Sequence, residues 1–167
     1  MPRDKLCLIN LYPIAKRSSA LVRELIGIWE ASVRLTHHFL AEEDVASLRP
    51  EVQGALMTVP ALAVVADAAG RNWGFLALNG EKVEALFLAP EARGQGLGRQ
   101  LMEWAVDQGA RSVDVNVGND QALDFYLHLG FKLASAAFTV SPERDFPLYR
   151  LELDSLKPKN EPNDGEA

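Results

Sequence analysis

A loop with glycine at alternate positions is the feature that most constrains how this chain can fold. Before it, residues 83–88 form an apolar-rich run with the length and composition of a buried strand, and Pro90 cannot continue a sheet ladder. After it, apolar residues recur at helical spacing. The stretch therefore predicts a strand, a loop and a helix in succession, and the loop contains Gly94, Gly96 and Gly98.

This loop has the properties of an anion-binding site. Without Cβ atoms, backbone N–H groups can turn onto an anion, and the helix N-terminus behind them adds free donors and partial positive charge. Arg93 and Arg99 flank the loop and can add charge-assisted hydrogen bonds to a phosphate or pyrophosphate. The spacing excludes both the Walker loop and the Rossmann fingerprint. A plain glycine-rich connection between a core strand and a core helix is the alternative.

Three segments resemble one enzyme family. R-x-x-G-x-G over residues 93–98 resembles motif A of the GNAT family, the Gcn5-related N-acetyltransferases, whose members hold the pyrophosphate of acetyl-coenzyme A with this loop. N-x-x-A-x-x-F-Y-x-x-x-G-F over residues 119–131 resembles the family's motif B. In the first third, W-x-x-S-V-R-x-T-H-x-F-L over residues 29–40 resembles one subgroup, the YjaB-like acetyltransferases.

The resemblance implies a set of cofactor contacts. The main-chain groups of Leu86 and Leu88 would bond the pantetheine arm as an added strand and polarise the thioester carbonyl. Asn119 would bond the same arm or the helix end, and Asn116 would contact cofactor or acceptor where the sheet splays. The pyrophosphate contacts would come from Arg93, Gly94, Gln95, Gly96, Leu97, Gly98 and Arg99.

The resemblance also implies catalytic roles. Tyr126 takes the position of the motif B tyrosine, the general acid beside the sulfur, although a helical tyrosine is more often a core residue. By strand alternation we expect Glu84 to share the face of Leu86 and Leu88 and to act as base through a water. A solvated or ion-paired glutamate is the alternative for Glu84, and Lys82, two places upstream, is no base when charged.

Two adjacent histidines, His37 and His38, follow the first predicted helix, which runs to about Thr36. They are compatible with metal ligands, a general base or surface residues stabilised by the helix C-terminus. Only one other histidine, His128, is present and no cysteine is near, so no metal is predicted. The resemblance makes Trp29, His37 and His38 acceptor-side residues.

The whole pattern predicts one α/β domain. The 167 residues, 48% of them hydrophobic, suffice for one packed core and are too few for two ordinary domains. We expect a GNAT fold over residues 1–156, with a mixed, mostly antiparallel sheet of about seven strands and about four helices. Pro50 should interrupt the helix over residues 43–56. Residues 157–167 lack apolar anchors and predict a disordered tail.

Strand order follows from the connections. Residues 62–67, 73–78 and 82–88 predict an antiparallel meander with a hairpin at Asn79-Gly80. Residues 112–117, reached through the helix, should lie parallel to the strand before the glycine loop. Residues 131–134 and 146–153 predict the last two strands, antiparallel to each other.

Composition limits the partners. A net charge of −6 disfavours nucleic acid and anionic membranes and favours a basic or amine-bearing partner. No apolar run approaches the ~18 residues that span a bilayer, and the single cysteine, Cys7, cannot form an internal disulfide. These features predict a cytoplasmic protein.

The resemblance implies direct transfer of an acetyl group from acetyl-CoA to a primary amine, without a covalent acetyl-enzyme. The subgroup resemblance implies a protein lysine as acceptor, and a small-molecule amine stays open. Two alternatives come from other classes. One is a non-catalytic acyl-CoA-binding or regulatory module, and the other is a nucleotide-binding protein of another kind.

Overall fold

The computed structural model describes residues 7–138 and 147–154. Within them the chain forms one mixed sheet with helices packed on both faces, as predicted. The strands are β1 (Leu8–Leu11), β2 (Ala61–Ala66), β3 (Asn72–Asn79), β4 (Lys82–Leu88), β5 (Ser112–Asn116), β6 (Lys132–Phe138) and β7 (Leu148–Glu152). The helices are α1 (Ser19–Thr36), α2 (Glu42–Thr58), α3 (Leu97–Asp107) and α4 (Asp120–His128).

The predicted strand pairings are confirmed, whereas the sequence made no prediction for the place of β1 or for the position of β7 between β5 and β6. The seven strands lie in the order β1-β2-β3-β4-β5-β7-β6. β2, β3 and β4 form the antiparallel meander, β6 pairs antiparallel with β7, and β4 and β5 form a parallel pair. The predicted tail over residues 157–167 lies outside the described residues, and the domain boundary at residue 156 stays a prediction.

The hairpin between β3 and β4 differs in detail from its prediction. Asn79 pairs with Lys82 and belongs to the strand, so the central turn residues are Gly80 and Glu81. Gly80 has a φ of 61°, whereas Glu81 has a negative φ. A two-residue loop with glycine at its first central position is a type II′ turn, whose twist matches that of the flanking strands.

Helix α2 continues past Pro50, so the predicted interruption is wrong. The helix is one element of 17 residues with this proline inside it. A proline in a helix interior removes the hydrogen bond to the carbonyl four residues earlier, here that of Ala46. Both residues are exposed, so water can satisfy that carbonyl.

The two faces of the sheet carry separate cores. Helices α3 and α4 pack on one face, where Leu76, Leu101 and Leu151 are fully buried. Helices α1 and α2 pack on the other, where Leu25 and Phe75 are fully buried. Each core covers one face of the sheet. The candidate site lies where two neighbouring strands of the sheet separate.

The opening lies between β4 and β5. These strands pair only at Lys82 with Ser112 and at Val83 with Val113. Beyond that, β4 continues to Leu88 without β5 beside it. The sheet is therefore splayed along the second half of β4, directly before the glycine loop.

Among the described residues, no helix has both the length and the apolar character needed to cross a membrane.

Candidate active site

The glycine loop forms an open cradle at the N-terminus of α3. Gly94 and Gly96 have φ values of 76° and 81°, a left-handed conformation that side chains rarely adopt. No heavy atom lies within 4 Å of the position where a Cβ would stand at either glycine. Gly96 is the N-cap of α3, so the first N–H groups of that helix face the same space. Free donors, positive helix-end charge and open space suit a phosphate-bearing ligand.

Gly98 has a different role from its two neighbours. It is buried in the first turn of α3, and its φ is not positive. A Cβ there would lie 3.4 Å from Cζ of Phe125 and 3.5 Å from Cδ1 of Leu88. Glycine at this position therefore brings α3 close to α4 and to the end of β4.

A cavity of about 450 Å³ extends from this loop along β4, and we name it the donor cavity. Its wall includes Arg93, Arg99 and the backbone of Leu86–Leu88. On the opposite side it is lined by α4, including Asn119 and Tyr126. The cavity therefore joins the glycine loop to the end of β4, as a ligand with both a phosphate and an extended arm requires.

The backbone of β4 presents unpaired polar groups to this cavity. Ala89 donates its N–H to the carbonyl of Trp73 on β3, at 2.8 Å. Because backbone groups alternate in direction along a strand, those of Leu88 and Leu86 point away from β3, into the splay. β5 does not pair with them there. An extended ligand can therefore hydrogen-bond with these two residues in place of the missing strand.

The polar side chains around the loop differ in their placement. Arg93 lines the donor cavity and donates to Oε1 of Gln121 at 2.7 Å. Arg99 also lines it, with its side chain 69% exposed and paired with a glutamate one turn along α3. Gln95 donates to the carbonyl of Glu91 at 3.2 Å and does not line the donor cavity. Two cations therefore border the cradle, and Gln95 stabilises its turn.

Tyr126 is buried and lines the donor cavity. Its residue exposure is 5%, and burial raises the pKa of its hydroxyl above the usual value. The rings of Phe125 and Phe131 contact it edge-on, with centroids 5.1 and 5.7 Å away. The hydroxyl therefore keeps its proton at neutral pH and has a defined position.

A chain of hydrogen bonds links the end of α1 to the start of α4. Thr36 Oγ1 donates to the carbonyl of Ser32 at 3.0 Å, so its only proton is used and it accepts from Nδ1 of His37, at 2.7 Å. Nε2 of His37 then accepts from Nδ2 of Asn119 at 3.3 Å. Asn119 Oδ1, in turn, accepts from the N–H of Ala122 as the cap of α4. The partners fix His37 as the neutral Nδ1–H tautomer.

The electrostatics around His37 agree with this assignment. Burial, and then the charges of Arg93 and His38, lower the pKa of His37 from 6.5 to about 4. The two neighbouring histidines have different surroundings: His37 lines the donor cavity with 7% exposure, whereas His38 is exposed and lines no cavity described here. They do not act as a pair. No cluster of three or more His, Cys, Asp or Glu side chains suited to a metal ion occurs among the described residues.

A second cavity, of about 360 Å³, occupies the splay between β4 and β5, and we name it the splay cavity. It shares His37, Asn119 and Tyr126 with the donor cavity, so the two meet at these residues. Asn116, at the end of β5, lines the splay cavity but not the donor cavity.

A bulge in β4 changes the direction of its side chains. Ala77 pairs with Ala85, but the next residue of β3, Leu78, pairs with Val83. Glu84 is therefore an extra residue opposite the regular β3 strand. Such a bulge interrupts the alternation on which strand side-chain predictions rest.

The expectation that Glu84 shares the face of Leu86 and Leu88 is consequently wrong. Both leucines pack against the core under α3 and α4. Glu84 instead lines a third cavity, of about 410 Å³, with Trp29 and Phe87 on the face of α1 and α2. We name this third space the aromatic cavity. Glu84 lines the splay cavity as well, so it lies where the aromatic cavity and the splay cavity adjoin.

A charge cluster that the sequence analysis missed lies beside the splay cavity. Asp114 accepts hydrogen bonds from Nε and a terminal nitrogen of Arg150, at 2.8 and 3.1 Å, and Lys82 Nζ lies 3.0 Å from its carboxylate. Lys82 also lies 3.8 Å from Glu84. Burial opposes ionisation of Asp114, but the two cations outweigh it and lower the pKa of that carboxyl. The alternation of Asp114 with two buried valines was the available sequence signal for it.

The chain is similar to characterised proteins. Residues 59–133 match the model of an acetyltransferase (GNAT) domain. The peptidyl-lysine N-acetyltransferases YjaB of Salmonella typhimurium and Escherichia coli K12 are each 36% identical to it over 129 residues, which is 77% of this chain and 88% and 87% of theirs. The solution structure of apo-form YjaB from Escherichia coli superposes with a TM-score of 0.76 at 31% identity, over 90% of this chain and 99% of that one.

Proposed function

Since the chain belongs to the GNAT family of acetyltransferases and uses acetyl-CoA as donor, we propose that it acetylates the side-chain amine of protein lysines. The acceptor class is supported by the relatives that are named peptidyl-lysine N-acetyltransferases. It also agrees with the net charge of −6, which favours a cationic substrate.

One observation carries the proposal: the donor cavity and the splay cavity meet at Tyr126. A donor held in the first and an amine entering through the second would come together beside one buried, protonated hydroxyl. Direct transfer needs that meeting point, because no enzyme group carries the acetyl in between.

The donor would be held by backbone more than by side chains. The N–H groups of residues 94–98 face the pyrophosphate position, with Arg93 and Arg99 at its border. The free edge of β4 at Leu86 and Leu88 provides hydrogen bonds for the pantetheine arm. Asn119 borders both cavities and offers its second Nδ2 proton to the same arm.

When bound, acetyl-CoA supplies a thioester that is activated toward amines. A backbone N–H of β4 stabilises the negative charge that develops on the carbonyl oxygen. Tyr126 Oη, which burial keeps protonated, delivers its proton to the departing sulfur and regains one from the nitrogen of the new amide, so that the hydroxyl ends in its starting state. Glu84 takes the proton of the incoming ammonium through a water in the splay cavity, which its carboxylate lines.

Direct transfer is also favoured by the position of the only cysteine. Cys7 is buried in the core under α3 and lines neither the donor nor the splay cavity. Burial, and then the charge of Asp67, raise the pKa of its thiol, which disfavours the thiolate that a covalent intermediate needs.

The proposal is tested by two measurements on the full chain. Calorimetric titration with acetyl-CoA, beside ATP and NAD, should show micromolar binding selective for acetyl-CoA. A thiol-release assay with lysine peptides and small amines should then show turnover with the peptides. Binding without turnover on any amine would favour a non-catalytic module. Turnover confined to small amines would overturn the lysine assignment.

A further inference from the structure

The aromatic cavity lies beside the acceptor entrance, and Glu84 is the one residue of its lining that takes part in the chemistry described above. Its inner wall is formed by the buried side chains of Trp29 and Phe75, by the partly buried Phe87, and by aliphatic groups of α2 such as Leu56. Its outer wall includes Ala55 and other exposed residues, so the space is open to solvent. An open apolar space of about 410 Å³ is a typical ligand-binding volume.

The aromatic cavity is continuous with the place where the amine must react. Glu84, Ala85 and Phe87 line both it and the splay cavity, so β4 forms a common wall between the two. The bulge at Glu84 produces this arrangement because it interrupts the alternation of side chains at the point where the cavities meet. A substrate whose amine occupies the splay cavity would therefore place its neighbouring groups over the aromatic cavity.

The charge of the cavity specifies its occupant further. Among the described residues that line it, Glu51 and Glu84 are the only charged ones. An apolar floor with an acidic border suits an apolar group carried on a cationic segment. It disfavours a substrate with a carboxylate or phosphate beside the amine.

We propose that the aromatic cavity is an acceptor subsite that binds a large aliphatic or aromatic side chain next to the lysine to be acetylated. This inference rests on the proposed function and names the peptide class that it prefers. Filling the cavity removes apolar surface of the peptide from water, and the gain appears only for peptides that carry such a side chain.

The test compares lysine peptides that carry leucine or alanine at each position from two before to two after the lysine. The expected result is a kcat/KM about tenfold or more higher for leucine at one of these positions, as for a side chain in a hydrophobic pocket. Ala55→Trp, which places a ring in the cavity from the exposed surface of α2, should reduce the leucine peptide to the alanine value. Gln53→Trp, two residues away and exposed but not lining the cavity, should preserve the discrimination.

Binding without turnover provides a separate readout. Tryptophan fluorescence is recorded during titration with the leucine and alanine peptides, in the wild type and in Trp29→Phe. A leucine-specific signal that is lost in Trp29→Phe supports the subsite even if no peptide is acetylated, a result that would overturn the lysine acceptor alone. Equal kcat/KM for all acetylated peptides, or equal binding of both peptides when none is acetylated, overturns the subsite. Unchanged affinity for acetyl-CoA in Ala55→Trp and Gln53→Trp shows that these two variants are folded.

Discussion

The buried neutral histidine makes stability depend on pH. The pKa of His37 falls from 6.5 to about 4 on folding, which corresponds to about 3 kcal/mol. The unfolded chain therefore binds more protons than the folded one below pH 6.5. The resulting loss of folding stability is absent above pH 6.5, grows as the pH falls and reaches its full size below pH 4. At pH 5 the free energy of unfolding should have dropped by about 2 kcal/mol on this account alone.

The physical reason lies in the hydrogen bonds of the ring. His37 Nε2 accepts from Nδ2 of Asn119, and protonation would set two donors against each other in a buried place near Arg93. Among the carboxylates with lowered pKa, Glu30 and Asp114 start from 4.5 and 3.8. Their stabilisation is lost mainly below pH 5, so the interval from pH 7 to 5 isolates the histidine.

The measurement is urea unfolding at pH 7, 6 and 5 for the wild type, His37→Gln and His38→Gln. Glutamine at position 37 removes the titration, so the wild type should lose about 2 kcal/mol more than this variant between pH 7 and 5. His38→Gln, at the exposed neighbour, should keep most of the wild-type pH dependence, because burial is the largest cause that lowers the pKa of His37 and the charge of His38 is the smallest. Parallel pH profiles for the wild type and His37→Gln would refute the buried neutral state, whatever the stability of the variant at pH 7.

Three further outcomes are expected. Tyr126→Phe should retain acetyl-CoA affinity in calorimetry and lower kcat about 10²-fold or more, since it removes the proton donor; undiminished kcat would exclude that role. Gly96→Glu places a carboxylate in the phosphate cradle, so acetyl-CoA binding should be lost while urea unfolding stays cooperative, and retained binding would contradict the loop assignment. Gly74→Ala should destabilise by about 2 kcal/mol or more, because a Cβ would lie 2.8 Å from the carbonyl oxygen of Phe87. Gly27→Ala, a helix position with no atom within 4 Å, should instead be neutral or stabilising by up to about 1 kcal/mol in the same unfolding assay.

Sequence reasoning worked where the determinants are local. The strand before the glycine loop, the loop and α3 follow one another within residues 82–107, and each has its own composition and end signals. Asn119 was expected to bond the pantetheine arm or the helix end, and its side chain does accept from the N–H of Ala122 at the start of α4. Because such signals act within a few residues, the fold class and the position of the glycine loop before α3 could be predicted.

Reasoning from local patterns failed where contacts between distant segments of the chain determine the structure. The bulge at Glu84 arises from the register between β3 and β4, which the pattern of either strand alone does not contain. His37 and Asn119 are 82 residues apart in the chain, and only their contact fixes the tautomer. Arg17 is buried and donates to the carbonyls of Leu56 and Val59 at the end of α2, a role that no neighbouring residue in the sequence indicates.

The short pairing between β4 and β5 divides the sheet into two halves. Within the described part of the chain, the ladder between β4 and β5 has two residue pairs, which join the half from β1 to β4 with the half made of β5, β7 and β6. Amide hydrogens of Leu86 and Leu88 should exchange quickly with solvent in the free protein, since no strand covers that edge. A donor bound along this edge of β4 would connect the two halves of the sheet. It should slow that exchange and, at a concentration of 100 times its Kd, add about 2.7 kcal/mol to the stability of the whole domain.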